Sequence, residues 1–441
     1  MNRIAYLTLS IIILCGTLAN AQEKRVWTLK ECIDYAIENN LNVKQMEQTR
    51  QRNEINLDNA KMQYLPTVSG SIGQSFNFGR SLTSNNTYAN HNVQNTSFDV
   101  SAHMSLFEFG RAAQRREAQL NLDAAIADLE NAKEDIGINV AQAYLQVLYA
   151  KELVEVDKKQ LELSQSQLTQ KEELLKQGRA AESDISEARS RVASDQMTLV
   201  KAENDYKMAL LDLSQLLELS TPEGMEIAIP EYDLTSLDGM TSPEQIYAEA
   251  LTSRNDIKAA MLREKSADEA ITNAKAGHYP SLSLSAGIGT SYYSVSGSNF
   301  ESSFGDQLDQ NLNKYISLNL SIPIFSRFSV KNQVRSAKVE KVNTTIEIEQ
   351  TKKTLYKEIQ QAYYNALSAS STYESSVAAE QASRDALDVQ TRKFEAGRST
   401  QTAYNEALTS WSRSAAEMVQ AKYELAFRIK ILDYYRGAEI K

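Results

Sequence analysis

The chain has 441 residues, a formal net charge of −10 at pH 7 and two cysteines. That acidic balance disfavours nucleic acid as a partner and allows cation-attracting surfaces. Its 42% hydrophobic content is ordinary for a folded protein, so the pattern along the chain, not its composition, must indicate the class.

A short basic start with Arg3 precedes an apolar run from Ile4 to Leu18, and Ala19-Asn20-Ala21 offers small residues for cleavage. This predicts a secretory signal peptide over 1–21 and a mature chain from about Gln22. The mature chain then carries 46 basic and 57 acidic residues, a net charge of −11. One cysteine survives, Cys32, which cannot form an internal disulfide. It lies on a helical stripe with Leu29, Ala36 and Ile37, which predicts burial.

The chain reads as one unit written twice. Ala36, Val43, Asn59-Ala60-Lys61 and Pro66 recur 214 residues later as Ala250, Ile257, Asn273-Ala274-Lys275 and Pro280. Ala143-Tyr144, Gly178-Arg179 and Glu187-Ala188 recur 219 residues later as Ala362-Tyr363, Gly397-Arg398 and Glu406-Ala407. Internal repetition of this kind sets the domain plan. Residues 22–219 form the first repeat, 220–242 an inter-repeat segment and 243–441 the second. Each repeat should open with one helix, about Leu29–Tyr64 and Pro243–His278. Each helix is closed by a proline, because the residue before proline resists helix.

Four segments then switch to period two. Val68, Gly70, Ile72, Phe76 and Phe78 alternate with polar or small residues, as do Phe98, Val100, Ala102, Met104 and Leu106. In the second repeat the apolar sets are Leu282, Leu284, Ala286 and Ile288, then Ile316, Leu318, Leu320, Ile322 and Ile324. Segments of about ten residues with one apolar and one serine- or glycine-rich face fit transmembrane β-strands. Long polar loops should join them, about Gly79–Ser97 and Tyr293–Tyr315. Four strands cannot close a membrane barrel, and open edges are not tolerated in lipid, so several chains would have to pool them. A soluble sheet resting on the helices would show the same alternation.

The longest element begins at Arg111. No proline interrupts it before Gln177, and a seven-residue ladder runs Val140, Val147, Val154, Leu161, Leu168, Leu175. A heptad stripe that long predicts a supercoiled helix of roughly 100 Å, ended by Gly178. A return helix follows from about Ser183 to Leu219. The second repeat should hold the equivalent pair, about Ser329–Glu395 and Thr400–Asp433, with its ladder interrupted by Glu380. The join between repeats, Ser220–Ser242, contains Pro222 and Pro230 and reads as a linker or a small patch carrying Ile227, Ile229 and Tyr232.

No catalytic constellation stands out. His91, His103 and His278 lack ligand spacing, and no nucleophile elbow, phosphate-cradling loop or dinucleotide fingerprint occurs. No enzyme activity, cofactor or metal is expected.

The signal peptide, the doubled helix–strand–strand–long-helix unit and the Gly-Arg tips together resemble the TolC-like outer membrane efflux family. Tyr64-Leu65-Pro66, Phe107-Glu108-Phe109-Gly110-Arg111, Ile322-Pro323-Ile324-Phe325 and Lys393-Phe394-Glu395-Ala396-Gly397-Arg398 carry the likeness. The resemblance implies a mainly α fold with transmembrane β. Three chains would form a homotrimeric channel-tunnel, pooling four strands each into a 12-stranded outer-membrane barrel in the lipid. A long periplasmic α-helical barrel would continue it. It further implies docking on a periplasmic adaptor and an inner-membrane pump through tips at Gly178, Arg179, Gly397 and Arg398. The chain would be a passive exit duct for drugs, other small molecules or exported proteins. A periplasmic coiled-coil tether is the competing class, set apart by whether the strands cross a membrane. In this family acidic side chains close the periplasmic end, which implies a pore constriction at Asp184, Glu187 and Glu406. Ala403 departs from the pattern, since a second acid is expected there. Tyr404, Ala407, Leu408 and Trp411 fall on one helical stripe, so Glu406 must point away from it.

Overall fold

The computed structural model describes residues 25–82, 86–230, 241–296 and 302–438. The expected signal peptide lies outside them, as does Tyr232. The described chain is mostly helical, with two sheets. In chain order it runs β1 (Arg25–Trp27), α1 (Leu29–Asn39), α2 (Leu41–Met62), β2 (Thr67–Leu82), β3 (Tyr88–Phe107), α3 (Arg111–Lys176) and α4 (Glu182–Leu216). Then follow β4 (Met225–Ile227), α5 (Pro243–Ser253), α6 (Asn255–Lys275), β5 (Ser281–Val295), α7 (Phe304–Gln310), β6 (Asn313–Ser321), α8 (Ser329–Glu395) and α9 (Gln401–Tyr435). The chain packs as two compact units. One holds the residues up to Gln48, Asp128–Ile257 and those from Gln350 on; the other holds Thr49–Ala127 and Lys258–Glu349.

The helix expected to open each repeat is two helices. Asn40 breaks the first at φ −58° and ψ 132°, and its Oδ1 accepts from the Asn42 and Val43 backbone N–H groups at 2.9 and 3.4 Å. Arg254, the residue 214 positions on, breaks the second at φ −67° and ψ 136°. Its guanidinium reaches Asp256 at 2.8 Å, and Asp256 Oδ1 accepts from the Ile257 N–H at 2.7 Å. Periodicity runs through both breaks unaltered. The stop is made by side chains that satisfy the first N–H groups of the next helix.

In the first unit the core repeats with the sequence. Ala36 and Ala250, Val140 and Ile359, and Val147 and Ala366 are all fully buried. Burying a valine or isoleucine rung stabilises by roughly 1.5–3 kcal/mol, while each alanine leaves room for a close helix approach. Cys32 is buried, as its stripe predicts. The inter-repeat segment contributes β4, which pairs in parallel with β1. Met225 and Ile227 are buried there, Ile229 is exposed, and the buried Tyr144 hydroxyl lies 2.6 Å from the Ala228 carbonyl oxygen. Within that segment, residues 225–228 are therefore packed on the helices.

The ladder on α3 holds only in part. Val140 to Leu161 are buried, but Leu168 is half-buried and Leu175 exposed. Their place is taken by Asp157, Gln160, Ser164, Gln167 and Lys171, all buried. A helix drifts by about 20° per heptad against a strict seven-residue repeat, so a leucine row cannot keep facing one neighbour unless the pair supercoils fully.

In the second unit the four long strands form one antiparallel sheet in the order β2-β3-β5-β6. The ladder between β2 and β3 runs from Thr67 opposite His103 to Leu82 opposite Tyr88. Most of the expected loop Gly79–Ser97 is therefore strand; Asn and Ser keep the pairing going because each still offers a backbone donor and acceptor. The second expected loop also holds structure, since β5 reaches Val295 and α7 follows. A Ser303 and Asp306 capping box opens α7, and the Asn311 amide at its end donates to the Ser291 carbonyl at 2.7 Å. Strand β6 ends at Ser321, two residues before Pro323, which cannot donate to a ladder. Behind the sheet, Arg111 explains the Phe-Gly-Arg motif. The buried guanidinium donates to the Ser105 carbonyl at 2.7 Å and stacks over the Tyr64 ring.

Candidate functional site

Two regions carry the features that a duct would need. The first is the sheet. Register places Val68, Gly70 and Ile72 of β2 in one face with Phe98, Val100 and Ala102 of β3, Ala286 and Ile288 of β5, and Ile316, Leu318 and Leu320 of β6. Ile316 is 82% exposed, Phe78 77%, Ile72 76% and Val68 70% in the single chain. An apolar face this open needs a cover. The opposite face carries serines, glycines and asparagines, with Asp99 among them. Among the described residues, strands β2 and β6 each lack a partner on one side. The sheet thus has two open edges, one apolar face and one polar face. Among the described residues no helix is long and apolar enough to cross a membrane.

The second region is the pair of tips. Gly178 has φ 72° and Gly397 φ 69°, a conformation that costs any residue with a Cβ about 1 kcal/mol or more. At the first tip the Gly178 N–H donates to the Leu175 carbonyl and the Arg179 N–H to the Leu174 carbonyl, both at 2.8 Å. At the second, Gly397 and Arg398 make the same two bonds to Phe394 and Lys393 at 2.9 and 2.7 Å. Both are Schellman closures, so the glycines are needed for the turn and the backbone of each arginine takes part in it. The side chains of Arg179 and Arg398 are exposed.

The acidic residues near the tips differ in what they touch. Asp184 Oδ2 accepts from the Ala181 N–H at 3.1 Å and caps α4, where a carboxylate also favours the helix dipole. Glu187 accepts from the Asn405 amide at 3.3 Å, a link between the two hairpins. Glu406 is exposed and has no partner among the described residues. The expected stripe packs: Tyr404, Leu408 and Trp411 are buried with Leu387 and Ala415, so Glu406 lies on the opposite side.

Further links between the hairpins were not visible in the sequence. Gln401 reaches Gln167 at 3.3 Å, and Arg191 reaches Thr409 at 3.1 Å. Glutamine and threonine on a helix look like solvated surface, and nothing in their spacing marks a cross-helix bond. Glu380 interrupts the apolar ladder of the second repeat. It is buried, accepts from the Trp411 indole N–H at 3.1 Å and pairs with Arg384 at 2.6 Å. Burial pushes the Tyr404 hydroxyl above its ordinary pKa, so it stays neutral. No group of residues suited to a metal occurs among the described residues.

Comparison with known proteins agrees with this geometry. A model of the family described as "Outer membrane efflux protein" matches residues 32–218 and 246–429. Outer membrane protein TolC of Escherichia coli is 25% identical over 348 residues, covering 78% of this chain and 67% of that protein. TolC of Salmonella enteritidis is 24% identical over 345 residues, with the same coverage. Among solved structures, CusC superposes with a TM-score of 0.77 at 18% identity, covering 96% of each chain. The CmeC outer membrane channel of Campylobacter jejuni gives a TM-score of 0.75 at 19% identity, covering 93% of this chain and 85% of that one. The chain belongs to the outer membrane efflux protein family as a TolC-like outer-membrane protein.

Proposed function

We propose that the chain is the exit duct of a tripartite efflux or secretion system, carrying small molecules or exported proteins passively from an inner-membrane pump across the outer membrane. The observation that carries this reading is the sheet, with four strands, two open edges and one exposed apolar face. Open edges are not stable in lipid. Pooling β2 of one chain with β6 of the next removes both edges at once, and three chains give a closed barrel of twelve strands with the apolar face outward. The repeats 22–219 and 243–441 each supply two strands and one hairpin, with 220–242 between them. The helices continue the barrel as a periplasmic tunnel, and the tips at Gly178, Arg179, Gly397 and Arg398 dock on a periplasmic adaptor. Nothing in the sequence supplies a nucleotide site, so the motor is the pump.

Glu406 is the constriction residue the geometry favours, because it is exposed beside the tip and unpartnered, whereas Asp184 and Glu187 are engaged in a cap and a cross-hairpin bond. Three Glu406 carboxylates in one narrow opening would attract cations. Single-channel recording in planar bilayers tests the reading. Stable, cation-selective openings are expected, with selectivity and block by multivalent periplasmic cations both reduced in Glu406→Gln. A protein that forms no channels and dissolves without detergent would instead be a periplasmic tether.

A further inference from the structure

The polar face of the sheet carries one formally charged side chain among the described strand residues, Asp99. It stands in a row with Ser71 on β2, Gly289 on β5 and, one strand further, Asn313 on β6. The residue opposite it is a glycine. A Cβ on Gly289 would collide with the Asp99 Oδ1 atom, which means that the carboxylate lies down across the β5 backbone. Two residues along β5, a Cβ on Gly287 would come within 2.6 Å of the Tyr315 ring, so the same face is cleared for a second large side chain. The Asp99 side chain is exposed and takes part in no hydrogen bond or ion pair among the described residues. The carboxylate lies over a glycine and has no countercharge among the described residues of its own chain.

We propose that Asp99 is a second selectivity residue, placed inside the barrel itself and separate from the helical tips. The inference rests on the reading that three chains pool their strands with the serine face inward. Threefold symmetry then repeats Asp99 at one height and makes a ring of three carboxylates on a wall otherwise lined by serine, asparagine and glycine. Such a ring raises the local cation concentration and repels anions, so cargo with a net negative charge meets a barrier at this level. The neighbouring glycines keep the wall low, so the ring filters by charge without closing the passage.

The test uses the full-length protein in planar bilayers under a salt gradient, with Asp99→Asn, Asp99→Cys and Ser71→Asp. Asp99→Asn should lower the cation-to-anion permeability ratio by about twofold or more, and its conductance should approach that of the wild type at 1 M salt, where screening acts within about 3 Å. Ser71→Asp, which adds charge to the same row, should raise the ratio. Asp99→Cys should lose current stepwise when a charged methanethiosulfonate is added from the outer side. Channels whose reversal potential is unmoved by both charge changes, and whose cysteine variant ignores the reagent, would overturn the inference while leaving the duct intact. A wild-type protein that forms no channels would sink the duct reading and this inference together.

Discussion

The two long hairpins descend from one repeated sequence, yet the seams that hold them differ. Toward the tip of the first hairpin, α3 turns Asp157, Gln160, Ser164, Gln167 and Lys171 inward. The residues 219 positions on are Ser376, Ala379, Ser383, Ala386 and Gln390, so the second hairpin lacks that charged and amide-rich stripe. Its seam is Leu387, Tyr404, Leu408, Trp411 and Ala415, with Phe394 packed alongside. In the first hairpin Gln160 Oε1, Gln167 Nε2 and Asp195 Oδ2 are buried with no protein partner. An apolar seam gains about 25 cal/mol per Å² buried and is indifferent to direction. A polar seam gains little net energy, and each unmatched group costs about 1–3 kcal/mol. The difference indicates that the first hairpin carries more unmatched polar groups in its seam than the second. Val156 and Leu163 of the first hairpin also pack on the second hairpin's cluster, so part of the first hairpin's apolar surface is spent on its neighbour.

Four changes probe that contrast. The largest effect is expected at the tips. Gly178→Asp and Gly397→Asp strain one residue by about 1 kcal/mol, too little to unfold the protein. Each should abolish efflux in a drug-susceptibility assay while the protein still assembles in the membrane. Normal export by either variant would remove that tip from the docking surface. Next comes Glu380, the polar member of the apolar seam. Glu380→Ala leaves the Trp411 N–H and the Arg384 guanidinium without their acceptor and should cost about 2–4 kcal/mol in thermal or denaturant unfolding. Glu380→Leu combined with Trp411→Phe removes both sides of the bond and restores the leucine found at Leu161, so it should lie within about 1 kcal/mol of the wild type. Equal losses in both variants would mean that the bond itself does not matter.

A smaller effect of opposite sign is expected in the first hairpin. Gln167→Leu removes a buried amide nitrogen without a partner and gives up only the 3.3 Å bond from Gln401, which still donates to Asn405, so it should stabilise by up to about 1 kcal/mol. Loss of stability there would show that the polar seam is better satisfied than its contacts suggest. The smallest effect concerns pH. Burial, and then the nearby Asp195, push the Asp157 carboxyl above its ordinary pKa. Folding therefore disfavours the charged form, and this penalty is complete at neutral pH and vanishes as pH falls through the raised pKa toward about 4. Asp157→Asn should melt above the wild type at neutral pH, and the two should converge on acidification. A constant difference at all pH values would place Asp157 in water.

Much of the architecture was legible in the sequence because it rests on period. The strand alternation, the helix ends at Gly178 and Gly397 and the α8 limits Ser329–Glu395 follow from spacing and from glycine. The breaks at Asn40 and Arg254 were not legible, since a side chain that caps the next helix leaves the apolar period intact. Nor were the long outer halves of β2 and β3, where asparagine and serine weaken the apolar alternation while the backbone ladder continues. The polar seam was hidden for a related reason: Leu168 and Leu175 outbid their polar neighbours on hydrophobicity, but helix geometry, not hydrophobicity, sets which row faces the partner. At the site, the glycine tips were readable. The partners of Glu187 and Glu380 were not, because each is a single cross-helix bond without periodicity.

If the strands span the outer membrane as proposed, no single chain completes the barrel. Native mass measurement of the detergent-extracted protein tests it most directly. One species containing three copies is expected, which separates into single chains only when heated and loses its β-structure as it does so. A monodisperse single chain that keeps its full β-structure in detergent would contradict it.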